Sequence, residues 1–247
     1  MKKKVSLLIM LFVMAIGFVY KVNALEREYT DYELIQGGGV DNILKNEKLM
    51  ANRKKSSNIE LQSVIPNVYN QLNNYPVHQQ EKSYWCGPAV AQGVIEFSRG
   101  YTLSQSSLAE RMNTNSDSGT YVYILSQTLT DIAGAAHEYG YEYISTSASD
   151  SKIYNIVRDS INSYVPVVLH ARTRTLYKYN GKNLGHYLTA IGYYASDIES
   201  PNGTIYDYYL YYADNFYADY GRGSVLGIWQ DSLENVAATV KGRYIIY

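Results

Sequence analysis

The chain has one cysteine, four histidines and almost no net charge, and each shortage removes a class of function. A lone thiol, Cys86, excludes an internal disulfide framework. Four scattered histidines beside one thiol do not make a zinc site, so no metal and no other cofactor is expected. With 22 basic and 23 acidic side chains, the chain has no electrostatic footprint for nucleic acid or an anionic membrane. The apolar run from Val5 to Tyr20 is short for a full membrane span. It follows Lys2, Lys3 and Lys4 and leads to Val22-Asn23-Ala24, the order of a secretory signal cut after Ala24. Cutting there removes four lysines and no acid, leaving 18 basic against 23 acidic residues. The product is a mildly acidic, secreted or cell-surface protein with no membrane attachment once the signal is gone. In an oxidising space an unpaired thiol is a liability, and catalysis is the simplest reason to keep one.

Residues 25–74 read as a linker or pro-segment. They carry Gly37-Gly38-Gly39, the basic run Arg53-Lys54-Lys55 and little aromatic content. A short helix fits around Asp41–Met50, and Ile65–Val77 looks like an extended lead-in. Residues 75–247 have the patterning of a folded domain. Apolar spacing predicts helices over Ala89–Phe97 with Gly100 as a stop and Cys86 at the N-terminus, from a Ser104 cap to Met112, over Tyr121–Tyr139, and from Asp150 or Ser151 through Ser163. Strands are predicted at Tyr141–Ile144, Val165–Leu169, Gly185–Tyr194, Thr204–Ala213, Gly223–Ile228 and Arg243–Tyr247, with turn signals at Asn180-Gly181 and Asn202-Gly203. Helices first and antiparallel strands after is an α+β order.

The chemistry centres on Gln80-Glu81-Lys82-Ser83-Tyr84-Trp85-Cys86-Gly87-Pro88-Ala89. A nucleophilic thiol needs a low pKa, a base and donors for the oxyanion it creates. At a helix N-terminus, the dipole and unused N–H groups favour the Cys86 thiolate. Pro88 suits the first turn, where its missing N–H costs nothing, and Gly87 leaves room for a substrate backbone. The Gln80 amide and the Cys86 N–H together can form an oxyanion hole. Tyr84, Trp85 and Tyr187 flank the site as candidate groove residues. A lone cysteine is more often a small buried hydrophobe; the upstream glutamine and a downstream histidine tip the balance to catalysis.

Gln-x5-Cys-Gly-Pro-Ala, followed far downstream by Gly185-His186 and an aspartate, resembles the papain-fold cysteine peptidases related to the bacteriocin-leader-processing peptidases, cysteine-peptidase family thirty-nine. The likeness runs from about Pro76 to Tyr247. It implies a papain-like α+β fold, a helical layer packed on an antiparallel sheet, and hydrolysis of a peptide or protein substrate. It makes His186, on a later strand than the cysteine, the base in preference to His170; His78 lies too near Gln80 and His137 on a helix surface. It places an aspartate, Asp214, at the end of the next strand to orient the imidazole. Asn215 stands where the family commonly has proline, and papain itself uses asparagine, so Asn215 is the alternative third residue. An acyltransferase or amidase on the same scaffold, and a non-catalytic binding protein, are the competing readings. The bacteriocin-leader enzymes usually sit on a transporter, and this chain has no transporter region.

Overall fold

The computed structural model describes residues 30–56, 68–134, 137–200, 203–216 and 227–247. The signal expected over 1–24 and Asn202 of the second turn lie outside them. Helices dominate the first half: α1 (Asp31–Gly37), α2 (Val40–Ser56), and, after strand β1 (Val68–Gln71), α3 (Cys86–Arg99), α4 (Gln105–Arg111) and α5 (Val122–Ala133). Strand β2 (Tyr141–Ile144) and helix α6 (Asp150–Asn162) lead into β3 (Val167–Arg172), β4 (Gly185–Ser200), β5 (Gly203–Asp214) and β6 (Gly227–Ser232). Helix α7 (Leu233–Val240) and strand β7 (Arg243–Ile246) follow. The strands make one sheet in the order β2-β7-β3-β4-β5-β6, with β1 also on β4, and every pairing is antiparallel. This is an α+β architecture: helices packed on an antiparallel sheet.

Strand β4 organises the sheet. One edge takes β3, from Arg172 opposite Gly185 to Val167 opposite Ala190, and then β1, from Gln71 opposite Gly192 to Val68 opposite Ala195. The other edge takes β5, from Thr189 opposite Ala213 to Ser200 opposite Gly203. Leu188, Thr189, Ala190 and Ile191 are all fully buried. Successive strand residues point to opposite faces, so both faces of the sheet are covered here. Helix α3 packs on β4 through a face in which Val90, Val94 and Ile95 have no exposed surface. Each such side chain contributes about 1.5–3 kcal/mol on burial, which anchors the helix whose first residue is Cys86. Gly100 ends it in the left-handed conformation, its N–H returning to the Glu96 carbonyl.

Several expectations are corrected. The helix expected over Tyr121–Tyr139 stops at Ala133. Gly134 is a poor helix former, and the backbone beyond it is used elsewhere. The Tyr139 carbonyl accepts from Ser126 and Thr130, and Gly140 exchanges both backbone bonds with Tyr247. The strand expected at Val165 starts at Val167, because the Val165 N–H returns to the Ser160 carbonyl to finish α6. The cap of α6 is Ser149, one residue earlier than expected. Of the strand expected at Gly223–Ile228, residues 223–226 lie outside the described residues; strand β6 covers Gly227–Ser232, and helix α7 follows where none is expected.

Within the span 25–74, the described residues are ordered. Thr30 and Glu33 form a capping box on α1. The Tyr141 hydroxyl donates to the Gly37 carbonyl, the Tyr244 hydroxyl to the Glu33 carbonyl, and Asn46 of α2 exchanges two hydrogen bonds with the Tyr141 backbone. The basic run 53–55 falls in the last turns of α2, and β1 joins the sheet ahead of the boundary expected at residue 75. These contacts draw on the chain's abundant tyrosine: a ring fills apolar space while its hydroxyl reaches a partner.

Candidate active site

Cys86 is the first residue of α3, after Trp85, which makes no side-chain cap. The residue is only partly buried. Next to it, a Cβ on Gly87 would lie 2.3 Å from Thr120 Oγ1. Glycine is therefore required by the close approach of the Thr120 loop. Pro88 sits in the first turn, as the sequence indicates.

His186 reaches the thiol from β4. Its ring is buried, Nε2 lying 2.9 Å from Asp214 Oδ1, and the imidazole is also hydrogen-bonded to the Cys86 thiol. Since Nε2 is taken by the carboxylate, the nitrogen toward sulfur is Nδ1. The sheet register explains the arrangement. Thr189 opposes Ala213, so one further step puts Asp214 opposite Leu188, on the face that Leu188 shares with His186. Asn215 then falls on the other face. Its amide donates to the His78 carbonyl and its own carbonyl accepts from the Gln80 N–H at 2.9 Å, tying the Gln80 loop to the sheet.

Asp214 is fully buried and receives four donors. Oδ1 accepts from His186 and, at 2.9 Å, from the Phe216 N–H; Oδ2 accepts from the Tyr179 hydroxyl at 2.8 Å and from Lys178 Nζ at 2.7 Å. Burial pushes this carboxyl up, but the charge and hydrogen bonds of His186 and Lys178 hold it down to about 2. Burial pushes the His186 imidazolium down; the carboxylate and the thiol outweigh it and raise it to about 9. Burial also pushes the Cys86 thiol up. The hydrogen bond and charge of His186, with the backbone N–H groups of Tyr187 and Gly87, more than offset that and leave it below the ordinary thiol value. The arrangement favours a thiolate–imidazolium pair before any substrate arrives.

Gln80 is buried, but its amide is committed. Nε2 lies 3.0 Å from both the Lys82 and the Ser83 carbonyls, and Oε1 has no partner among the described residues. An amide has two N–H donors, so reaching an oxyanion means releasing one loop carbonyl. Tyr187, expected in a groove, is buried with its hydroxyl on the Thr120 carbonyl. Trp85 is buried under the Lys82 ammonium, 4.2 Å from its ring centre, and Tyr84 is half-buried. The remaining histidines are occupied elsewhere. His78 faces Glu96 at 2.6 Å, and His137 packs edge-on against Tyr139 beyond the end of α5. His170 stacks on Tyr187 and bonds the Tyr32 hydroxyl; burial and the nearby Arg243 and Arg172 push it down to about 3. Lys178 and Tyr179 are the site residues that sequence reasoning missed. Two cavities flank α2, and neither is lined by Cys86, His186 or Asp214.

Comparison with solved structures gives low overall similarity. The chain covers 97% of the peptidase domain of Streptococcus ComA, described as a bifunctional ABC transporter involved in a quorum-sensing pathway, and 70% of its own length is matched, at 20% identity and a TM-score of 0.45. SERA5E from Plasmodium falciparum matches 72% of this chain and 90% of that one at 10% identity and a TM-score of 0.44. UfSP from C. elegans matches at 12% identity and a TM-score of 0.45; 75% of this chain is aligned, over 34% of the longer one. A search of curated protein sequences returned no match. A family model, described as the Peptidase_C39 like family, matches residues 67–236, a span that starts just before β1, contains Cys86, His186 and Asp214, and takes in most of the chain. The chain belongs to the Peptidase_C39 like family.

Proposed function

We propose that the protein is an exported cysteine peptidase that hydrolyses peptide bonds through Cys86, His186 and Asp214. The observation that carries this reading is the unbroken row from a partly buried thiol at a helix N-terminus, through His186, to a buried carboxylate. His186 Nδ1 holds the thiol proton, and Asp214 fixes the tautomer and steadies the imidazolium. The sulfur attacks the substrate carbonyl carbon and the carbonyl π-electrons move to oxygen. Collapse of that intermediate expels the amine, which takes its proton from His186. Water, deprotonated by the same imidazole, then releases the acid and returns the proton to the Cys86–His186 pair. The Cys86 N–H supports the oxyanion, joined by Gln80 once its amide gives up a loop carbonyl. Export follows from the signal-like order of residues 1–24.

The test is the ionisation of the chain's one thiol, followed by the rate of iodoacetamide labelling against pH. Half-labelling is expected below the free-thiol value of about 8.5, and kcat/KM on a peptide substrate should fall as pH rises through about 9, where His186 loses its proton. A labelling midpoint at or above the free-thiol value sinks the reading. Gln80→Ala should lower kcat about 10²–10³-fold if the amide reaches the oxyanion. A change within threefold would assign the oxyanion to backbone donors alone.

A further inference from the structure

The residue with no place in the three-part row is Lys178. It lies in a short 3₁₀ turn, Tyr177–Tyr179, and its side chain has no exposed surface. Its ammonium is 2.7 Å from Asp214 Oδ2 and 2.6 Å from the Phe216 carbonyl, with the rings of Tyr179 and Trp229 5.5 and 5.6 Å away. A lysine is the residue least often buried without a compensating partner, and burying an ammonium costs several kcal/mol before its partner is counted. The sheet around it offers a carboxylate that already has His186, Tyr179 and a backbone N–H.

We propose that Lys178 is a positioning residue for the proposed triad. Its ammonium completes an alternating row of thiolate, imidazolium, carboxylate and ammonium that carries no net charge. The inference rests on the cysteine-peptidase reading. Without the lysine, the reactive form is a buried row with one uncompensated negative charge. Such a row relieves itself by keeping a proton on its most basic anion, the sulfur. The lysine thus keeps the thiolate form populated although it never touches substrate. Among the described residues, the other ionisable groups facing the row do not supply that charge. From α3 comes only the thiol itself, and from the 3₁₀ turn the neutral Tyr179 hydroxyl. On β5 and β6, Tyr212 and Asp231 bond to each other, and Asp231 also takes the Tyr177 N–H and the Asn235 amide. Among the described residues, Lys178 is the cation within hydrogen-bond reach of Asp214 besides the imidazolium.

The test compares labelling curves of Cys86 in the full chain for wild type, Lys178→Met and Lys178→Gln. Methionine removes charge and hydrogen bonds; glutamine removes the charge but its amide can donate to the same two oxygens. Both curves are expected to move to higher pH by about half a unit or more, roughly a threefold drop in labelling rate on the acid limb. Both variants should also move the alkaline limb of kcat/KM upward, because the imidazolium holds its proton longer. A purely structural lysine predicts something else: glutamine restores the wild-type curve, or both variants keep it and lose only thermal stability. Either result overturns the proposal. If Lys178→Met does not fold, Lys178→Gln alone decides between a shifted and an unshifted curve. A wild-type midpoint near the free-thiol value would bring down the peptidase reading itself. A low wild-type midpoint unchanged in the variants brings down only the role of Lys178.

Discussion

Asp214→Asn is expected to lose about 3–5 kcal/mol of folding stability, the cost of leaving one member of a buried ion pair uncompensated, and to cut kcat/KM about 10⁴-fold by freeing the imidazole to take the wrong tautomer. The two losses have different causes. Asparagine fits the same space, so packing is retained. What disappears is the anion that holds Lys178 and His186. Chemical denaturation and steady-state kinetics measure the two effects separately. Adding Lys178→Met to Asp214→Asn removes the stranded ammonium, and stability should recover in part while activity does not. The stability loss should also depend on pH. His186 is raised to about 9 in the folded state, so its contribution is complete below its unfolded value of about 6.5 and fades as pH rises through about 9. Asp214 is lowered to about 2, so its contribution is complete above about 4 and fades as pH falls toward about 2. The gap between wild type and variant should therefore be widest between about pH 4 and 6.5. A gap that is flat from acid to alkaline pH would detach these charges from the stability of the fold.

The parts of this site that could be read from the sequence are those fixed by local rules. A Ser104 side chain that accepts from Ser107, Gly100 in the left-handed conformation, and an apolar stripe ending at Cys86 all announce themselves over a few residues. So does the alternation that separates Asp214 from Asn215, once a strand is assumed. Lys178 could not be read this way. It sits among tyrosines just before Asn180-Gly181, where a lysine looks solvated, and its partner lies 36 residues ahead, at the end of β5. The commitments of Gln80 were hidden for the opposite reason: its acceptors, the Lys82 and Ser83 carbonyls, are so near in sequence that only the loop conformation reveals them. Helix α7 carries its own local signals. Ser232 caps it, and Val236, Ala237 and Val240 are spaced along one buried side, but the surrounding strand signals obscured it.

Cys86→Ala is expected to abolish peptide hydrolysis and leave the fold unchanged. The sulfur is the only atom in the proposed row able to form the acyl bond, because imidazole and carboxylate are engaged with each other. Alanine is the best helix former, the side chain is only partly buried, and Asp214 keeps His186 and Lys178 as partners. Little packing is lost, so the melting temperature should stay within about 2 °C of wild type, corresponding to a change under about 1 kcal/mol. Cys86→Ser is the sharper comparison. It is nearly isosteric, so a thiol kept only for packing tolerates it. A hydroxyl does not ionise beside a neutral-pH imidazole as a thiol does, and the serine variant should be as inactive as the alanine one. Peptide turnover is measured with reductant present, so that oxidation of the one thiol does not imitate the mutation. Residual hydrolysis near the wild-type rate in either variant removes Cys86 from the chemistry, and with it the function proposed for this chain.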